Sequence, residues 1–195
     1  MTKRTIIAAI LGGLAMFVWA SIAHMALRLG DAGVGEIPNE GPVLSALQSS
    51  LGQSHGLYMF PGFGLGPDAT HAQRSAAMEQ YTKKLAVNPH GLVVYHPVGG
   101  EGMTPGLLLT EFLTELLETF LVVILLSMSR VAGFAARFGF VTLAGVMASI
   151  TTNIPYWNWY GFPTLYTASY MTTQIAGFVC AGAVIAWFLG RGERR

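Results

Sequence analysis

Glu111, Glu115 and Glu118 recur at i, i+4 and i+7 within the stretch Gly106 to Ser129, GLLLTEFLTELLETFLVVILLSMS. On a helix that spacing aligns three carboxylates on one face of an otherwise apolar rod. At about 1.5 Å per residue the stretch is long enough to cross a bilayer. A charged side chain at the centre of a membrane helix costs about 2.5–3.5 kcal/mol even on the gentlest scale. The stripe is therefore expected to face protein, water or a bound partner, and not lipid. Three neighbouring carboxylates cannot all ionise cheaply in a low dielectric, so at least one is expected to hold its proton at neutral pH. Such a set can relay protons, hold a cation, or hydrogen-bond neighbouring helices.

Ser21, His24 and Arg28 follow one another at i, i+3 and i+7 near the end of the first apolar stretch, which predicts one polar helix face. Arg28 and Glu111 are expected at similar depth, with the guanidinium holding Glu111 ionised. Glu118 is expected near the midplane, neutral and without a basic partner. Asn153 and Gln174 place polar groups on the two remaining apolar stretches. The candidate ligand- or ion-binding set is thus Glu111, Glu115, Glu118, His24, Arg28, Asn153 and Gln174, clustered in the outer half of a bundle. Tyr156, Trp157, Trp159 and Tyr160, from the run NIPYWNWYGFP at Asn153 to Pro163, read as an interfacial aromatic belt. A groove for a quinone, pigment or lipid is the sharper alternative for that run.

Other chemistry is not signalled. The histidines His24, His55, His71, His90 and His96 show no HExxH or similar spacing, so no metal site is expected. The one cysteine, Cys180, rules out an intramolecular disulfide and a cysteine metal motif. The glycine-rich runs GFGLGPD (62–68) and VGGEGMTPG (98–106) lack the Gly-Lys-Ser/Thr of a phosphate loop and the setting of a dinucleotide fingerprint. They read as turns. No cofactor is assigned.

The elements that must hold these residues follow from composition. The chain has 195 residues, 52% hydrophobic and only 11% charged, with a mean hydropathy of +0.50. Soluble domains carry about 25% charged residues, so a membrane protein is expected. A net charge of +1 without a basic stripe excludes nucleic acid as a partner. Four spans are predicted, at residues 5–29, 105–129, 132–152 and 165–189, with an aromatic outer loop at 153–164. Arg137 inside the third would reach toward the headgroups. Ser21 and Ala23 resemble a signal cleavage site, but the apolar run continues through Leu27, which predicts an uncleaved anchor. Lys3, Arg4, Arg130, Arg137, Arg191, Arg194 and Arg195 lie on one side against the single acid Glu193. The positive-inside rule then places both termini in the cytoplasm and the segment 30–104 outside, in a membrane of the bacterial inner type.

That segment is short for an independent core. Pro42 to Leu51 and Thr70 to Val87 read as helices, the second opened by a Thr70/Gln73 capping box. The phrases His55-Gly-Leu-Tyr-Met-Phe-Pro61 and His90-Gly-Leu-Val-Val-Tyr-His-Pro97 read as two short strands around the longer helix. The expected fold is therefore a membrane all-α protein, a bundle of four transmembrane helices with a small α/β extracytoplasmic cap between helices one and two. Small residues four apart, such as Ala8/Gly12, Ala9/Gly13, Gly145/Ser149 and Gly177/Ala181, predict close helix packing within the chain or between copies. The expected role is a non-enzymatic accessory or binding subunit of a larger membrane assembly, in contact with the lipid bilayer and with other subunits or copies of itself. A small transporter or proton/ion conductor using the glutamate stripe is the second reading. An intramembrane enzyme acting on a lipid or quinone is the third.

Overall fold

The computed structural model describes residues 2–191; Glu193, Arg194 and Arg195 of the charge argument lie outside the described residues. In chain order the elements are α1 (Lys3–Ser21), α2 (Glu40–Leu51), β1 (Gly56–Phe60), α3 (His71–Val87), β2 (Gly91–Tyr95), α4 (Pro105–Met128), α5 (Phe134–Tyr160) and α6 (Thr164–Gly190). They fall into two units, Glu36–Glu101 and the rest of the described chain.

In the larger unit, three helices are long and apolar enough to cross a membrane: Lys3–Ala26, α5 and α6. The chain is a membrane protein on that ground. α4 has 24 residues, but its three glutamates separate it from the others by composition. Length and composition together thus support three of the four expected spans. Each helix has an identifiable boundary. Thr2 caps α1 and Thr104 caps α4, each hydroxyl accepting from a backbone N–H three residues on. Pro105 supplies the preset first turn of α4. Gly161, in the left-handed region at φ 69°, ends α5.

Two expected boundaries change. The first span does not run as one regular helix to Leu29. Its α-helical part stops at Ser21, a single π-helical turn covers Ile22–Ala26, and Arg28 adopts φ 53° beyond it. Ser21, His24 and Arg28 therefore do not share one helix face, because the wider turn and the left-handed residue break the 3.6-residue phase. The predicted aromatic outer loop 153–164 is also mostly helix. α5 continues through Pro155 to Tyr160, and only 161–163 separate it from α6. Proline removes one backbone donor but leaves the remaining ladder of a long helix in place.

α1 is the central helix of this unit, with α4 packed on one side and α6 on the other, while α5 packs along α6. Small residues permit these approaches. A side chain at Gly13 would lie 2.7 Å from Leu116 Cδ2 on α4, and one at Gly12 would lie 2.7 Å from Ile185 Cδ1 on α6. Gly145 of α5 is covered in the same way by Phe178 of α6. Ala8, Ala9, Val122, Val123, Leu126, Ala181 and Ile185 form an apolar core around the starting end of α1.

The smaller unit pairs β1 with β2 antiparallel, Gly56 opposite Tyr95 and Phe60 opposite Gly91. α3 connects the strands and opens with the Thr70–Gln73 capping box. Among the described residues of this unit only Tyr95 is buried; its hydroxyl donates to Gly52 O at 2.9 Å. Phe63 stacks on Tyr81 with ring centroids 4.0 Å apart.

Candidate functional site

Between α1, α4 and α6 lies a cavity of about 150 Å³. From α4 it is lined by Glu111, Thr114, Glu115 and Glu118, so the i, i+4, i+7 stripe faces a space inside the protein. The opposite face of α4 carries Leu109, Leu113 and Leu117, all exposed. From α1 come Met16, Trp19 and Ala20, and His24 follows from the π-helical turn. From α6 come Tyr170, Thr173, Gln174, Gly177 and Phe178.

The carboxylates differ in surroundings. Glu111 and His24 are exposed, Glu118 is half-buried, and Glu115 is only 6% exposed. The cavity is therefore open toward Glu111 and His24 and deepens toward Glu115. One oxygen of Glu115, Oε2, is buried with no hydrogen-bond partner. A buried acceptor without a donor carries its desolvation cost uncompensated. On the far side of Glu118 the space closes, because Thr119, Val122 and Val123 are buried in the core.

The walls are held by hydrogen bonds and ring contacts. The Trp19 indole N–H donates to Thr173 O at 2.9 Å, fixing that ring between α1 and α6. His24 lies edge-on to Tyr170, with centroids 6.2 Å apart, and Tyr170 in turn lies 4.6 Å from Tyr166. Gly30 is needed beside His24, because any Cβ there would collide with the imidazole. Asn153 does not line the cavity. Its amide donates to Gln174 Oε1 at 2.6 Å and to Ser149 O at 2.9 Å, so it orients Gln174 from behind.

No known family model, curated protein or solved structure matches this chain.

Of the seven candidate residues, Glu111, Glu115, Glu118, His24 and Gln174 meet at the cavity, and Asn153 touches one of them. Arg28 does not. Its Nε donates to Asp31 Oδ2 at 3.0 Å in an exposed pair, so the expected Arg28–Glu111 ion pair is corrected. Arg28 has left the helix before it can reach α4, and an acid three residues away is the nearer partner. Tyr156, Trp157, Trp159 and Tyr160 lie on the last turns of α5 and are all exposed; Trp157 Nε1 donates to Thr164 Oγ1 at 3.2 Å. Trp19, Tyr170 and Thr173 were missed as site residues. The signal was there: Tyr170, Thr173, Gln174 and Gly177 follow i, i+3, i+4, i+7, one stripe of α6. Among the described residues no three His, Cys, Asp or Glu side chains are grouped so as to share a metal ion.

Proposed function

We propose that this chain is a non-enzymatic membrane subunit that binds a small cation, of protonated-amine type, in the cavity between α1, α4 and α6. The observation that carries the reading is Glu115, a buried carboxylate with an unpartnered oxygen, which lines one cavity together with two more carboxylates. An ammonium group offers donors and positive charge together, and nothing else lining the cavity supplies either to Oε2. Trp19 and Tyr170 add aromatic walls, which favour organic cations. The volume suits a group a few heavy atoms across.

Binding is favoured over conduction because the cavity is blind. Below Glu118 the buried Val122, Val123 and Ile185 close the space with apolar side chains, and the Thr119 hydroxyl is spent on the carbonyls of Glu115 and Leu116. A lipid-enzyme reading is disfavoured too. The apolar groove along Leu11, Leu14, Val18, Ile22, Cys180 and Val184 contains no carboxylate.

The same reading takes α4 as a fourth span, with both termini in the cytoplasm and residues 36–101 outside. It is supported by the division of α4 into a leucine face and a carboxylate face. The aromatic end of α5 then sits at the outer headgroup level.

Thermal unfolding in mild detergent tests the binding reading. Ammonium, methylammonium and ethylammonium chloride are compared with sodium chloride at matched ionic strength. A ligand that binds the native state stabilises by about 2.7 kcal/mol at one hundred times its Kd. A saturable rise with the amines is expected, lost in Glu115→Gln/Glu118→Gln. Identical curves for every salt would end the amine reading.

A further inference from the structure

The stripe on α4 spreads its carboxylates along the helix. Glu111 and Glu115 are four residues apart, about 6 Å along the axis, and Glu118 lies three residues further. All three line the cavity between α1, α4 and α6, yet they do not form a group able to hold one metal ion. A compact cation bound at Glu115 therefore leaves Glu111, at the open end of the cavity, without a counter-charge.

The wall shows which ligand chemistry fits. Thr114 donates its hydroxyl to Thr110 O at 2.9 Å, Thr173 donates to Ser169 O at 3.0 Å, and the Trp19 indole donates to Thr173 O at 2.9 Å. These three donors are spent on backbone carbonyls, while Glu115 Oε2 is buried without a partner and the residue is only 6% exposed. The hydroxyl oxygens of Thr114 and Thr173 still have lone pairs that can accept. Such a wall matches a ligand that brings N–H donors. Trp19 and Tyr170 offer ring surfaces that attract an ammonium, and Met16, Ala20 and Phe178 offer apolar surface to methylene groups.

We propose that the ligand of this cavity is a linear diamine with about four carbons between its nitrogens, an inference that rests on the amine-binding reading above. One ammonium sits at Glu115, with the half-buried Glu118 next along the same face, and the other reaches Glu111 at the mouth. At standard bond lengths four carbons hold two nitrogens about 6 Å apart, which is the axial separation of Glu115 and Glu111. Two ammonium charges against two carboxylates make a neutral set, which lowers the cost of carrying either charge inside a membrane protein. A monoamine satisfies the inner carboxylate only.

Thermal unfolding of the full chain in mild detergent tests this, with 1,4-diaminobutane, butylammonium and magnesium chloride titrated separately at matched ionic strength. At neutral pH aliphatic amines carry their protons. The response to the diamine should saturate at about five-fold lower concentration than the response to butylammonium, the gain that one added exposed ion pair gives. Glu111→Gln should remove that difference, and because Glu111 is exposed the change leaves the core untouched. Asp31→Asn, at an exposed carboxylate outside the cavity, should preserve it. Equal responses to diamine and butylammonium, or a preference that survives Glu111→Gln, overturn the diamine proposal and leave the amine-binding reading standing. Magnesium that matches the diamine also overturns it, because charge without spacing would then explain the gain. No response to any amine ends both readings.

Discussion

A carboxylate oxygen buried without a donor weakens the fold that contains it, and Glu115 is such a group. Replacing it with an apolar side chain of similar length removes the unmet acceptor. Glu115→Leu is therefore expected to hold or raise thermal stability, by about 1 kcal/mol, while abolishing any response to amines. Unfolding curves with and without ammonium separate the two effects; a loss of more than about 2 kcal/mol in the Leu variant would show that Glu115 supports the fold. Arg28 gives a second expectation. Because it pairs with Asp31 in the open, the Arg28→Met and Glu111→Gln changes should add within about 0.5 kcal/mol in a double-mutant cycle. Coupling of several times that size would restore the ion pair inferred from depth alone. The two cases show what could be read at this scale. The stripe of α4 was legible because helix phase alone decides which residues share a face. Arg28 was not, because its place depends on a π-helical turn and one left-handed residue that leave no periodic mark.

The helices depend on small residues at their crossings, and the glycines are not equivalent. A Cβ at Gly13 would lie 2.7 Å from Leu116 Cδ2 and 3.0 Å from the Leu116 backbone, so α1 and α4 would have to separate. Gly139 in α5 has nothing within 4 Å of such an atom. Gly13→Ala is expected to cost about 1–3 kcal/mol through overpacking. Gly139→Ala is expected to be neutral or to stabilise by about 0.5–1 kcal/mol through helix propensity. Thermal unfolding of the two variants side by side decides this; equal effects would mean that the α1–α4 contact is looser than its geometry. The small-residue spacing of Ala8/Gly12, Ala9/Gly13 and Gly145/Ser149 was readable from sequence, and all six residues are buried. Ala132 and Ala136 share that spacing but are exposed. Spacing marks a face that can pack closely, and a partner helix must still be present. The end of α5 misled for a different reason. Asn153-Ile-Pro-Tyr-Trp resembles a turn, yet one proline deletes one hydrogen bond from a helix of 27 residues.

The two units were legible to different degrees because they bury different amounts. Long apolar helices announce themselves by composition, whereas the unit Glu36–Glu101 buries only Tyr95 and leaves Leu57, Met78, Val87 and Val94 exposed. Its helices and strands were readable from capping and turn residues, but hardly any apolar pattern records what they pack on. At this scale α4 decides the span count. The helix covers 24 residues, about 36 Å, enough for the hydrocarbon core. Its glutamates line a cavity while leucines occupy the face without protein cover, which is the arrangement a membrane helix needs in order to carry carboxylates. If α4 crosses, the chain makes four passes and its ends lie on the same side. If it does not, three passes place them on opposite sides. Reporter fusions distinguish the cases: after Arg195 and at Arg137, cytoplasmic activity is expected, and at Gly35 external activity is expected. Arg4, Arg130, Arg137 and Arg191 then all lie on the cytoplasmic side, as the charge asymmetry requires. A fusion after Arg195 that is active outside, with Arg137 still inside, would leave α5 and α6 unable to return the chain. A fusion at Arg137 active outside would remove α4 from the membrane, and with it the reason for its leucine face.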